Sequence, residues 1–308
     1  MRIGTNVGIE IDGPKTIGDV VAEVRRAAEL GLAGAWWAER HTADALTAVT
    51  AAGLAVPGFP LGTAVVTTYP RHPLALASQA LTVQAATGNR LTLGIGPGHK
   101  PRVENVFGLS YDRPARHTRE YLSVLMPLLR GEPVDYAGEA YRVSGQVRTA
   151  GANPPAVLLS ALGPAMLRIA GELADGTVTV WTGVRATGTH IVPRVTTAAE
   201  AAGKPAPQVV VNLPIAVTND PASARAWIAG HFGASAQVPS YRAMFDLEGA
   251  GSPADVVIAG NEDQVAGHLK RFADAGATGF IAVPFGSPAQ VTRTLTLLGD
   301  LNKTSPSS

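Results

Sequence analysis

The sequence predicts an α/β chain whose parallel strands close into an eight-stranded barrel, and three observations predict it. Residues 61–67, 91–96 and 156–160 are short, nearly continuous apolar runs, as expected of strands buried on both faces. Each stops abruptly in Gly, Pro, Ser, Thr or His, and a helix-like stretch follows it. At 308 residues, 46% hydrophobic and 16% charged, the chain can bury a large core as one barrel unit.

The elements follow in order. Residues 1–7 read as the first strand, and Thr16-Ile-Gly-Asp19 resembles a capping box with Asp in place of Glu. Val20, Val21, Val24 and Ala28 then mark one helix face up to the stop at Leu30-Gly31. Residues 34–39 form the second strand, and a helix over 44–52 is closed by Gly53. Strand three covers 61–67, with a helix over 73–87 stopped by Gly88, and strand four covers 91–96. The alternation then breaks. Residues 114–129 read as a helix with Tyr121, Leu122, Leu125, Leu128 and Leu129 on one side and a kink at Pro127, and 134–143 as a hairpin. Strands at 156–160, 176–181, 209–217 and 280–284 complete the count, with helices over 164–174, 190–202, 221–230, 261–275 and 288–298.

Eight strands separated by helices give a (β/α)8 TIM barrel. The expected organisation is one domain over 1–301, with a segment of about 100–155 inserted after strand four and a flexible tail over 302–308. Ala28-Glu-Leu-Gly-Leu-Ala-Gly-Ala-Trp-Trp37 is echoed by Ala273-Asp-Ala-Gly-Ala-Thr-Gly-Phe-Ile-Ala282, as expected of a fold built from one repeated unit. An open doubly wound sheet would need a Gly-rich turn after the first strand, and residues 1–13 hold no G-x-G-x-x-G.

Composition narrows the chemistry. A net charge of +1 gives no global pull toward nucleic acid or anionic membrane. The absence of cysteine removes disulfides, thiolate metal sites and cysteine nucleophiles. No run of about 18 apolar residues suggests a membrane span, and the opening residues read as a strand, not a signal peptide, so a cytoplasmic protein is expected.

In such a barrel the carboxyl ends of the strands carry the chemistry. Glu39, Arg40 and His41 follow strand two; Thr67, Thr68, Tyr69, Arg71 and His72 follow strand three; Pro97, Gly98 and His99 follow strand four. Histidine titrates near neutrality, so His41 and His99 suit proton transfer, whereas His72, directly before Pro73, reads as a helix entry. Neither Ile3-Gly-Thr-Asn-Val7 nor Ile281-Ala-Val-Pro-Phe285 offers a metal ligand where barrel hydrolases keep theirs, so no metal is expected. Lys100 lies in what reads as a hydrophilic loop and does not suit Schiff-base chemistry. Ser160-Ala-Leu-Gly163 precedes Pro164 at a helix start, where small residues let backbone N–H groups approach a phosphate. Trp36 and Trp37 are adjacent on one strand and point to opposite faces. Trp181, at a strand end, either packs in the core or flanks a flat ring.

Five segments together carry a resemblance. They are Trp37-Ala-Glu-Arg-His41; Leu61-Gly-Thr-Ala-Val-Val with Arg71-His-Pro73; Leu91-Thr-Leu-Gly-Ile-Gly-Pro-Gly-His99; Tyr111-Asp-Arg-Pro-Ala-Arg116 with Arg119-Glu-Tyr-Leu122; and Ser160 to Pro164 with Ala170-Gly-Glu-Leu-Ala-Asp-Gly176. Over essentially its whole length the chain resembles the bacterial luciferase-like barrel superfamily, and within it the deazaflavin (coenzyme F420)-dependent oxidoreductases of actinobacterial type. The resemblance implies a homodimer and a deazaflavin held at the carboxyl face. It further implies a non-proline cis peptide near Ala64, Val65 and Val66 behind the ring, and a phosphate on Ser160, Ala161, Leu162 and Gly163. Pro97, Gly98 and His99 would border ring and substrate. Sugar-phosphate dehydrogenases of the superfamily place an acidic residue and then His after strand two, and Glu after the strand-four Gly. Glu39-Arg40 and His99 stand there instead, which counts against a glucose-6-phosphate substrate.

The expected function is an F420-dependent oxidoreductase moving a hydride between cofactor and a small organic substrate. His41 and His99 are the proton-transfer candidates, with Glu39 orienting them. Ala64, Val65, Thr67, Pro97, Gly98, the 160–163 turn and Arg71 contact the cofactor. An FMN-dependent monooxygenase and a non-catalytic flavin-binding barrel are the alternatives.

Overall fold

The computed structural model describes residues 1–8, 15–39 and 43–304. The strands in chain order are β1 (Arg2–Val7), β2 (Ala35–Trp37), β3 (Leu61–Thr63), β4 (Val66–Thr67), β5 (Leu91–Gly96) and the pair β6 (Val134–Ala137) and β7 (Arg142–Gly145). They continue with β8 (Ala156–Ser160), β9 (Gly176–Val180), β10 (Gln208–Val217), β11 (Ile258–Gly260) and β12 (Gly279–Pro284). Parallel pairing runs from β1 through β2, β3 with β4, β5, β8, β9, β10 and β12 back to β1. With β3 and β4 counted as one stave, eight strands close the ring, which leaves no exposed sheet edge among them. β11 adds to the carboxyl end of β10, and β6 and β7 form a separate antiparallel hairpin.

The interior of the ring is plugged. Trp36 packs with Leu158, Val178, Val210 and Ile281 inside the barrel, together with Ala64 and Val65. Trp37, on the opposite face, is buried against the surrounding helices. Two glycines make room for the inward indole: a Cβ on Gly4 would lie 3.0 Å from Trp36 Nε1, and one on Gly62 only 2.3 Å from Trp36 Cε3. Below this plug, a cavity of about 120 Å³ opens at the amino-terminal mouth, lined by residues such as Arg2, Pro60 and Gln208. That end of a parallel barrel serves stability, not chemistry.

The repeated unit shows in the backbone. Gly31 and Gly276 both adopt left-handed φ, at 87° and 94°, ending the helices Ile17–Leu30 and Glu262–Asp274. The box at Thr16 forms: Asp19 N–H donates to Thr16 Oγ1 at 3.2 Å, and Thr16 N–H to Asp19 Oδ2 at 2.8 Å.

Several boundaries differ from the sequence reading. The second helix, Ala45–Ala55, runs through Gly53. That glycine is a packing residue, since its Cβ would sit 2.6 Å from Thr87 Cγ2 and 2.7 Å from Leu61 Cδ1. Lys100 begins a short helix, Lys100–Asn105, where a loop was expected. Helices Val184–Ala186 and Val192–Ala201 flank a π turn over Thr187–Ile191. After β10 the expected helix, Pro221–Phe232, is followed by another, Pro239–Glu248, and then by β11, neither of which the sequence suggested. The last helix, Pro288–Thr304, extends past the point where a tail was expected. Asn302 holds it there: its Oδ1 accepts from Ile3 N–H at 3.0 Å and its Nδ2 donates to Ile3 O at 2.8 Å. Among the described residues, no helix is long and apolar enough to cross a membrane.

Candidate active site

Among the described residues, the third stave has an elaborate end at the carboxyl mouth. The Ala64–Val65 peptide is cis and divides the stave into β3 and β4. Neighbours hold it on both sides: Ala64 N–H donates to Trp37 O at 2.8 Å, and Glu39 N–H to Val65 O at 3.2 Å. Thr68 N–H donates to Gly96 O at 2.9 Å. Val65 thus lies against β5 and β8, where a Cβ on Gly96 would meet both Val65 Cγ2 and Ser160 Cβ at 3.0 Å.

Glu39 and Arg71 lie just beyond the second and third staves, as expected, and pair with each other. The Glu39 carboxylate accepts from Thr67 N–H at 2.9 Å and from Arg71 Nη1 at 2.6 Å. Arg71 also pairs with Asp44, while Arg102 Nη1 donates to Glu39 O at 3.1 Å. The side chains of Arg71 and Glu39 are only 16% and 11% exposed, so each supplies the countercharge that the other's burial requires. Among the described residues, the Glu39 carboxylate bonds Thr67 and Arg71, and the Arg71 guanidinium bonds Glu39 and Asp44, so both fix the β4 turn. Lowered by hydrogen bonds from Thr47 and by the Arg71 charge, against burial which raises it more than any other single influence, the Asp44 carboxyl sits below its ordinary range. His41, with Arg40, lies outside the described residues.

The β5 turn brings in a partner that the sequence did not single out. Gly98 takes a left-handed φ of 73°, and its carbonyl accepts from Tyr111 Oη at 2.9 Å. His99 Nε2 lies 3.0 Å from Tyr241 Oη, with the two rings edge to face. Tyr241 is on the helix Pro239–Glu248, so this contact joins the β5 turn to the excursion after β10. Burial, with a contribution from the Arg102 guanidinium, holds the His99 pKa below its ordinary value. At neutral pH the ring is therefore uncharged, able to accept a proton at one nitrogen and donate from the other.

Beyond β8, the turn is small and open. Gly163 caps the helix Pro164–Leu173 without any side-chain hydrogen bond, and a Cβ added to it would meet nothing within 4 Å. The first N–H groups of that helix keep their donors for an anion. Ala161 and Leu162 bury their side chains, and Leu162 O accepts from His190 Nε2 at 2.7 Å, so the turn is fixed from behind. Only its backbone and Ser160 face the mouth. Trp181, at the end of β9, is buried and tilted against Phe232 with ring centroids 5.5 Å apart; it is core.

Next to these turns, Thr68 Oγ1 lies 3.3 Å from His117 Nε2, and His117 stacks on Tyr69 with centroids 3.8 Å apart. Burial pushes the His117 pKa down to about 4. Two further residues went unremarked in the sequence. Asn6 and Asn212, each 8% exposed, bury side-chain carbonyl oxygens that have no hydrogen-bond partner among the described residues. A polar residue in the apolar run Val209-Val-Val-Asn-Leu-Pro was the available signal for one of them.

Among the described residues, no three of His, Asp and Glu gather as metal ligands. The arrangement instead suits a planar phosphorylated ring: an uncapped helix start for the phosphate and the Val65 ridge for a flat face.

Comparison with known proteins agrees with this geometry. Over part of its length the chain is similar to the 5,10-methylenetetrahydromethanopterin reductase of Methanolobus tindarius, 26% identical over 170 residues. That match takes in 55% of this chain and 52% of the relative, so the chain spans about half the length of the curated relative. In fold it is similar to an F420-dependent secondary alcohol dehydrogenase solved with an F420–acetone adduct, with a TM-score of 0.81 at 18% identity and 97% of each chain covered. It is also similar to the oxygenating constituent of 3,6-diketocamphane monooxygenase from Pseudomonas putida in complex with FMN, with a TM-score of 0.77 at 16% identity and 97% of each chain covered. A sequence profile for luciferase-like monooxygenases matches residues 1–298. The closed ring, the broken third stave and this near-complete match place the chain in the luciferase-like monooxygenase family.

Proposed function

We propose that this protein is an F420-dependent oxidoreductase acting on a small organic substrate. The observation that carries the reading is the uncapped Gly163 turn, an anion seat opening beside the barrel's interior. The names of the partial relative, a methanopterin reductase, and of the F420-bound structural neighbour support a deazaflavin there. When bound, a deazaflavin supplies two-electron hydride chemistry. Phosphate oxygens would lie on the backbone of Ser160 to Gly163, with Val65, Thr67, Pro97 and Gly98 lining the ring. His99, held by Tyr241, is the proton-transfer group, and His41 remains a candidate at the adjacent stave. Glu39 acts one step back, by fixing the β4 turn. FMN is the second reading, favoured by the FMN-bound structural neighbour.

A homodimer is the expected assembly. The outer helices Ala45–Ala55 and Pro73–Thr87 are rich in apolar and small residues, and Leu54 is 61% exposed.

Incubating the purified chain with F420 or FMN, desalting, and quantifying the retained cofactor tests the assignment. Stoichiometric F420, followed by its reoxidation with a carbonyl, imine or enoate substrate, is the expected result. Stoichiometric FMN with no retention of F420 would overturn it.

A further inference from the structure

The helix Pro239–Glu248 is held at both of its ends by turns of the carboxyl mouth. Near its start, Tyr241 Oη lies 3.0 Å from His99 Nε2, and the two rings meet edge to face with centroids 5.3 Å apart. At its last residue, Glu248 Oε1 accepts from Arg185 N–H at 3.2 Å and Oε2 from Ala186 N–H at 2.8 Å. His99 leads from β5 into the helix Lys100–Asn105, and Arg185 and Ala186 follow β9 just past the Gly183 N-cap. β8 pairs with both of these strands, so the two footings stand on the fourth and sixth staves, one on either side of the fifth.

The spacing suits a helix laid from one footing to the other. Positions 241, 244, 245 and 248 fall on one helical face, and Met244 and Phe245, between the footings, are buried in the core. Seven residues of helix span about 10 Å, and staves two apart in a sheet are separated by about 10 Å as well. The far footing fits closely. A Cβ on Gly183 would lie 2.2 Å from Glu248 Cδ and 2.6 Å from each carboxylate oxygen, so glycine there leaves room for the carboxylate. Charge-assisted bonds from two successive N–H groups then fix that carboxylate in position and direction.

We propose that Pro239–Glu248 is a strut across the fifth stave that positions His99, and that Glu248 acts through it: the carboxylate seated on the Gly183 turn sets where Tyr241 meets the imidazole. That the ring so positioned transfers a proton rests on the proposed function; the strut itself does not.

The test follows the His99 titration in the ligand-free protein by NMR of the imidazole C–H resonances, with His99→Asn identifying the signal. Arg102 is the charged group that already bears on this ring. Tyr241→Phe should move the midpoint by about 0.5. Gly183→Ala evicts the Glu248 carboxylate from its seat while keeping its charge. It should move the midpoint in the same direction by at least about half as much, and adding Tyr241→Phe to it should give no more than Tyr241→Phe alone. Glu248→Gln, which keeps the length and one acceptor, should move the midpoint less than Glu248→Ala does. A midpoint unmoved in Tyr241→Phe, or in a folded Gly183→Ala protein, overturns the strut. So does a Gly183→Ala shift that adds in full to that of Tyr241→Phe, or a Glu248→Gln shift as large as that of Glu248→Ala, which would mark an effect of charge alone. If Gly183→Ala does not fold, Glu248→Ala carries the same expectation. A protein that shows the expected shifts but retains neither F420 nor FMN overturns the site reading and leaves the strut standing.

Discussion

At the scale of single residues, the site is organised by what its charged groups are already doing. Arg71 bridges Glu39 and Asp44, so Arg71→Met leaves a largely buried carboxylate without countercharge. It should lower stability by about 3 kcal/mol in denaturant titration, with F420 affinity of the folded fraction unchanged. A cofactor-tail contact would give the reverse. His99 makes a different prediction. Because burial and Arg102 keep its pKa below the ordinary value, turnover that needs the neutral ring should persist at pH 6.5 and fall only at lower pH. His99→Ala should remove that acid limb and slow turnover by about a hundredfold while leaving cofactor binding within about threefold. Tyr241→Phe should move the limb without abolishing it, as read from pH–rate profiles.

At the scale of elements, the helix Pro114–Leu129 buries Tyr121, Leu122, Leu125 and Leu128 in the core and sets one histidine against the third stave. His117 stacks on Tyr69 and is held at a pKa of about 4, below an unfolded value near 6.5. Its folded pKa is depressed, so the unfolded chain binds the extra proton between these values. Stability is full above pH 6.5 and falls as the pH drops toward 4, by up to roughly 3 kcal/mol. His117→Phe, which keeps the stack, should flatten this part of the stability–pH curve. Such elements were legible to different degrees. Apolar runs bounded by Gly and Pro located all eight staves, because burial on both faces leaves an unmistakable pattern in a strand such as Val157-Leu-Leu. Gly53 misled because a glycine demanded by Thr87 and Leu61 across the interface looks, in one dimension, like a helix stop. β11 was missed because three residues carry no periodicity. The mutual pairing of Glu39 and Arg71 was not legible in the sequence, since it depends on how the β4 turn folds back. Tyr241 stands 142 positions from His99, a contact that no local pattern announces.

At the scale of the whole molecule, the ring brings the first and last staves together and pins both chain ends. Asn302 bonds both backbone groups of Ile3, and its Nδ2 also reaches Gly31 O at 3.2 Å. Asn302→Ala strands the Ile3 N–H, while Ile3 O keeps the Ala33 N–H, and should cost about 1–3 kcal/mol, visible as a lower denaturant midpoint with no change in ligand affinity. The same closure sets the Val65 ridge, the His99 turn and the Gly163 helix start at the carboxyl ends of the third, fourth and fifth staves, where the proposed site lies.

The most direct measurement is titration of the Gly163→Asp variant with F420, beside the wild type. A side chain at this position meets nothing, and Asp at a helix N-cap accepts from the first N–H groups. The variant should therefore unfold at or above the wild-type temperature. Its carboxylate would occupy the donors and repel a phosphate, so one-to-one binding in the wild type should weaken more than about tenfold. Undiminished F420 binding by a folded Gly163→Asp protein would contradict the account, because the phosphate would then lie elsewhere.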